Sequence, residues 1–158
     1  MRDGVRLAAD VFLPLKGKRF PVVMTRTPYM KDRPKNGLAA KQFVSAGYAF
    51  VAVDCRGRGD SEGTFDSRFQ EIADGHDCLQ WAGRAPWSTG KVGTYGGSYD
   101  GWTQIFPTRL QSKYHKAMFL MCTPSMHPFE EGDFISGVPS GITPLWAFMA
   151  AGRTQRSM

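Results

Sequence analysis

Ser98 is the residue whose setting points to chemistry. It stands in Lys91-Val92-Gly93-Thr94-Tyr95-Gly96-Gly97-Ser98-Tyr99-Asp100-Gly101-Trp102, which reads as a short strand, a tight glycine turn and a helix start. Gly96 and Gly97 let the backbone bend sharply, and Gly101 lets the helix approach the strand. A serine at the apex of such a turn presents its hydroxyl above the end of the strand, as in a nucleophile elbow. The pattern departs from G-x-S-x-G. Asp100 occupies the place of the second glycine and the glycine follows at 101, giving G-x-S-Y-x-G. A serine nucleophile needs a base to take its proton and donors for the oxyanion it creates. Tyr29, which follows a proline, either packs or aims its hydroxyl at a carbonyl oxygen bound near Ser98. The residues alone leave both roles open.

The three histidines differ in where the chain places them. His115 precedes its strand and falls on the edge of the sheet away from Ser98. His76 lies on a helix and is expected at the surface. His127 falls on the same edge as Ser98, although a lone histidine in a loop is more often solvated than catalytic.

Other motifs carry less. Gly57-Arg58-Gly59-Asp60-Ser61-Glu62-Gly63 is one residue too long for a dinucleotide fingerprint, and no amphipathic helix follows it directly. It reads as a glycine loop pinned by Arg56 and Asp54. No G-x-x-x-x-G-K-[ST] is present, which excludes a P-loop. Glu71, Asp74 and Asp77 share one helix and read as a solvated acidic face rather than a metal site. The three cysteines, Cys55, Cys78 and Cys122, include no C-x-x-C pair, which argues against a disulfide framework and a zinc site. Cys78 and Cys122 sit in apolar runs and read as small core residues.

The elements that must position Ser98 come from continuous apolar runs. Residues 20–26 (FPVVMTR), 48–54 (YAFVAVD), 91–95 and 116–122 (KAMFLMC) lack alternation, as expected of strands buried on both faces. Helical patterns lie between them. One spans 38–46 and ends at Gly47, another 69–84 with Ile72, Leu79 and Ala82 on one face. A third follows the serine over 99–110, with Pro107 set to kink or end it. Alternating strands and helices predict a parallel α/β sheet whose ligands bind at the carboxyl ends of the strands. Tyr29, Arg56, Ser98 and His127 all fall on that rim. At the start, Asp3-Gly4 before the alternating Val5, Leu7, Ala9 and Val11 is a hairpin signal. Nothing precedes it to serve as the partner strand, so the start reads as cut, or the turn as a mobile end.

The chain has 158 residues, enough for one domain with a core. A net charge of +6 hints at an anionic partner, but the basic residues are scattered, which argues against nucleic acid. No apolar run is long enough to span a membrane and no signal peptide opens the chain, which favours the cytoplasm.

Five segments, in order, resemble one family: residues 1–14 (MRDGVRLAADVFLP), Arg26-Thr27-Pro28-Tyr29, Asp54-Cys55-Arg56-Gly57 with Ser61-Glu62-Gly63, Pro86-Trp87 with Gly90-Lys91-Val92-Gly93, and Gly96-Gly97-Ser98-Tyr99-Asp100-Gly101. The chain resembles the cocaine-esterase-like and X-prolyl dipeptidyl-peptidase serine hydrolases, the CocE/NonD hydrolases, whose own elbow carries the shifted glycine. The resemblance implies an α/β-hydrolase fold: a mainly parallel sheet with flanking helices, here stopping before the last strands. It implies that residues 1–128 are the N-terminal part of the catalytic domain and 129–158 the start of a helical cap. It makes Ser98 the nucleophile, with the Tyr99 amide and the Tyr29 hydroxyl as oxyanion donors. The family's acid and histidine lie downstream of the cap, and no residue here matches them. The expectation is therefore a fragment of a longer serine hydrolase acting on an ester or X-Pro peptide, with no cofactor or metal. Alternatively, the piece is a non-catalytic binding module. A sheet cut at this point would leave an open apolar edge.

Overall fold

The apolar runs become the sheet. In the computed structural model, which describes residues 1–123, 134–135 and 138–149, the strands are β1 (Ala9–Phe12), β2 (Phe20–Thr27), β3 (Ala49–Asp54), β4 (Ser88–Gly97) and β5 (His115–Met121), paired in the order β1-β3-β2-β4-β5. The β2–β3, β2–β4 and β4–β5 pairs are parallel, so the carboxyl ends of four strands share one rim. The helices are α1 (Pro34–Ser45), α2 (Glu71–Arg84) and α3 (Tyr99–Ile105), which runs into a 3₁₀ turn at Phe106–Leu110. Pro107 lies in the first turn of that 3₁₀ segment, where its missing N–H is tolerated. Beyond them a short antiparallel pair, β6 (Phe134–Ile135) and β7 (Val138–Pro139), precedes α4 (Ile142–Met149).

Both faces of the central strands are covered, which explains their unbroken apolar character. Val22, Met24, Val51, Val53 and Val92 pack against Cys78, Leu79 and Ala82 of α2. Phe50 and Ala52 pack against Ala39 and Ala40 of α1, with Phe43 and Tyr95 beside them. Gly47, just past α1, has φ 87°, the left-handed conformation a helix end commonly uses.

Two expectations are corrected. The N-terminal strand is not half of a hairpin at Asp3-Gly4. β1 pairs antiparallel with β3 along Ala9↔Val53 to Phe12↔Phe50, forty residues away. The Asp3-Gly4 turn is no mobile end either, because Arg2 pairs with Asp77 at 2.6 Å and Asp3 with Arg56 at 2.7 Å. The second concerns β5, which is not buried on both faces. Among the described residues only β4 pairs with it, and Met118, Phe119, Leu120 and Met121 are 44%, 60%, 40% and 36% exposed. Its apolar sequence meets the requirement of a buried strand, but α3, which lies beside it, leaves these side chains exposed.

Candidate active site

The turn after β4 has the geometry its glycines predict. Ser98 has φ 57° and ψ −129° and its side chain is exposed. A non-glycine residue at positive φ is a strained conformation that persists only where its surroundings enforce it. Three close approaches do so. A Cβ at Gly96 would lie 2.5 Å from Asp100 Cβ, one at Gly97 2.8 Å from the Met121 carbonyl oxygen, and one at Gly101 1.8 Å from Thr123 Oγ1. The Ser98 N–H donates to the Met121 carbonyl at 3.0 Å, tying the turn to the end of β5. Tyr99 opens α3, so its N–H is one of the first-turn amides that have no acceptor within the helix.

Tyr29 meets Ser98 across the rim. Its hydroxyl oxygen lies 3.3 Å from Ser98 Oγ, so the packing role left open by the sequence is not its only one. The loop that carries it is fixed at several points. The Tyr29 N–H donates to Thr27 Oγ1 at 3.1 Å. Asp54, at the end of β3, accepts from the Lys31 N–H at 2.7 Å and from the Asp60 N–H at 3.0 Å, joining the tyrosine loop to the glycine loop. Arg58 Nε donates to the Pro28 carbonyl at 2.9 Å from a fully buried position. The Arg33 guanidinium stacks over the Tyr29 ring at 4.9 Å. From α4, Trp146 Nε1–H donates to the Tyr29 hydroxyl at 3.1 Å. Sequence reasoning identified Asp54 as a loop pin. It missed Arg58 and Trp146, because neither residue type in its local setting signals a site.

The acidic residues of α2 require a correction. Glu71 and Asp74 are not a solvated face, being only 3% and 2% exposed. Each meets an arginine from the sheet: Glu71 pairs with the equally buried Arg26 at 2.8 Å, and Asp74 with Arg56 at 2.6 Å. Burial opposes the Arg26 charge, but Glu71 outweighs it and the Arg26 pKa is raised. Arg56, expected on the rim, is turned to Asp74 and Asp3 instead. Glu71 reaches the elbow through the Tyr99 hydroxyl, which donates to it at 3.3 Å and accepts from the Arg68 N–H at 2.8 Å. Burial and the Glu71 carboxylate push the Tyr99 phenol up and keep it neutral. The Tyr99 ring is thus a fixed platform. Trp102 meets it edge-on at 5.4 Å, and Trp146 stacks on it at 5.6 Å with 8° between planes.

Beside Ser98 opens a cleft of about 380 Å³ between the ends of β4 and β5 and the start of α1. Asp100, Lys35, Arg33 and Cys122 line it. Asp100 is 1% exposed and pairs through Oδ2 with Lys35 Nζ at 3.3 Å. Burial raises its carboxyl to about 6, while Lys35 opposes the rise. Cys122 is exposed at the end of β5 rather than in the core. Cys55 and Cys78 are buried and free.

Of the described histidines, neither is near Ser98. His115 starts β5 and bonds to Thr94 Oγ1 at 2.9 Å, on the opposite edge as expected. His76 touches Arg2 and Gln80 on the outer side of α2. His127 lies outside the described residues. Among the described residues no group of three His, Cys, Asp or Glu side chains is placed to hold a metal ion, and no helix is long and apolar enough to cross a membrane. The site as described brings a strained, exposed serine hydroxyl together with one phenol and one helix-terminal amide.

Comparison with known proteins places the chain in a family. Residues 3–136 match the family model described as X-Pro dipeptidyl-peptidase (S15 family). The chain is 41% identical over 111 residues to the cocaine esterase of Rhodococcus sp. (strain MB1 Bresler), a match covering 66% of this chain and 19% of the esterase. Among solved structures it superimposes on a CocE/NonD family hydrolase from Staphylococcus aureus with a TM-score of 0.84 and 30% identity, covering 97% of this chain and 32% of that one. An α-amino acid ester hydrolase matches with a TM-score of 0.66 and 30% identity, over 75% of this chain and 23% of that one. The chain spans about a fifth of the length of the curated relatives it matches. The architecture is that of the CocE/NonD hydrolases, an α/β-hydrolase sheet with its helices. By its motifs, fold and matched residues, the chain belongs to the X-Pro dipeptidyl-peptidase (S15) family of hydrolases.

Proposed function

We propose that this chain carries the nucleophile and the oxyanion donors of a serine hydrolase that cleaves an ester or an amide through an acyl-enzyme. Ser98 Oγ attacks the substrate carbonyl carbon and its proton passes to a base. The carbonyl oxygen becomes an oxyanion that accepts hydrogen bonds from the Tyr29 hydroxyl and the Tyr99 N–H. The leaving alcohol or amine departs with the proton, and water then releases the acyl group by the same route in reverse. The base and its acid partner lie outside the described residues, where most of the stretch read as a cap, residues 129–158, also falls. The observation that carries this reading is the 3.3 Å approach of Tyr29 to Ser98 on a positive-φ turn.

The substrate class follows the relatives' names: a small acyl ester, an amino acid ester or a short peptide cleaved after X-Pro. Because no histidine stands near Ser98 among the described residues, the 158-residue chain assayed alone should hydrolyse p-nitrophenyl esters at close to the uncatalysed rate. A fluorophosphonate probe applied to the natural protein that contains this sequence tests the proposal. Labelling should disappear in Ser98→Ala. Labelling that persists in that variant would end the assignment.

A further inference from the structure

We infer that Trp146 is a positioning residue for the oxyanion donor: its indole N–H fixes the direction in which the Tyr29 hydroxyl gives its proton. The inference rests on the role proposed above for Ser98 and Tyr29. A phenol has one proton and two lone pairs, and it donates or accepts according to its neighbours. Facing Ser98 alone at 3.3 Å, Tyr29 could take either part, since a serine hydroxyl also does both. An indole N–H can only donate. With Trp146 Nε1 at 3.1 Å, one Tyr29 lone pair is engaged. The Tyr29 proton is thereby directed away from the indole, and Ser98 Oγ is the partner within reach on the other side. A substrate carbonyl bound there would meet a donor already aimed at it, which is the preorganisation that makes oxyanion sites effective. Hydrogen bonds in series also polarise one another, so the phenol becomes the better donor.

The indole is itself held in place. It stacks within 8° of parallel on the Tyr99 ring. That ring is immobilised by Glu71, by the Arg68 N–H and by the edge of Trp102. The residue that follows the nucleophile therefore sets, through Trp146, the direction of the second oxyanion donor. Trp146 lies on α4, 117 residues from Tyr29 in the chain, so the packing of α4 at the rim is what aims the Tyr29 donor.

The test is a double-mutant cycle in the natural protein containing this sequence, read with p-nitrophenyl acetate and p-nitrophenyl benzoate. Trp146→Phe keeps a ring on Tyr99 and removes the N–H. It should lower kcat about three- to tenfold, the size of one net hydrogen bond, with KM little changed and the same factor for both acyl groups. In a Tyr29→Phe background the same change should have no further effect, because the group it acts through is gone. Trp146→His, which retains a ring N–H, should recover part of the loss. An equal drop in both backgrounds would overturn the inference and make Trp146 a packing residue. A drop confined to the benzoyl ester, or seen only in KM, would overturn it in favour of an acyl-pocket wall. Failure of the underlying reading is distinguishable: fluorophosphonate labelling that persists in Ser98→Ala removes the serine mechanism before the cycle is read.

Discussion

Replacing Asp100 by Asn should stabilise the fold at neutral pH, and the gain should depend on pH in a defined way. Asp100 is 1% exposed, and its ion-pair partner Lys35 has a side chain 54% exposed. Burial outweighs that pairing and raises the carboxyl from 3.8 to about 6. The native state therefore binds this proton more tightly than the unfolded chain. Between those two values stability falls as pH rises, and above about 6 it levels off. The difference between 3.8 and about 6 corresponds to about 3 kcal/mol of ionisation cost carried at pH 7. Asn keeps the size and one acceptor for Lys35 and never ionises. The stability gap between Asp100→Asn and the natural sequence should open from little at pH 4 to about 3 kcal/mol at pH 8. Other carboxylates titrate alike in both proteins and cancel in the difference. Urea unfolding followed by tryptophan fluorescence at a series of pH values measures it. A gap that is the same at pH 4 and pH 8, or a variant less stable at pH 8, would refute the reasoning.

Tyr29→Phe removes one of two oxyanion donors and should reduce kcat by about 10² to 10³, roughly 2.7–4 kcal/mol of transition-state stabilisation, with KM nearly unchanged; a change confined to KM would contradict this role. Glu71→Ala leaves Arg26 charged and unpaired in the core beneath the elbow, and it should cost about 3–5 kcal/mol of stability. A urea midpoint equal to that of the natural sequence would show that the pair does not support the fold.

Much of the fold was legible because it rests on local rules. Apolar runs without alternation gave β2 and β3, since strands covered on both faces need no polar side, and β4 was read from its place before the glycine turn. The glycines around Ser98 gave the elbow, because only glycine fits the approaches to Asp100, Met121 and Thr123. The errors came where a long-range partner decides the outcome. Glu71 and Asp74 look like a solvated helix face until Arg26 and Arg56 arrive from the sheet. β1 looked like half of a local hairpin because its partner, β3, is remote in the chain. Cys122 and β5 looked like core because apolar sequence alone does not say whether a neighbour covers it. Trp146 gave no signal at all. Its role is visible only once the chain brings α4 against Tyr29.

The central claim is that Ser98 becomes covalently acylated. The most direct measurement is to quench the natural protein in acid during turnover of a p-nitrophenyl ester and map the acyl mass by peptide mass spectrometry. The acyl group should be found on Ser98 and should be absent from the Ser98→Ala variant. An acyl group on the neighbouring Cys122, or turnover with Ser98 unmodified throughout the pre-steady-state burst, would contradict the account.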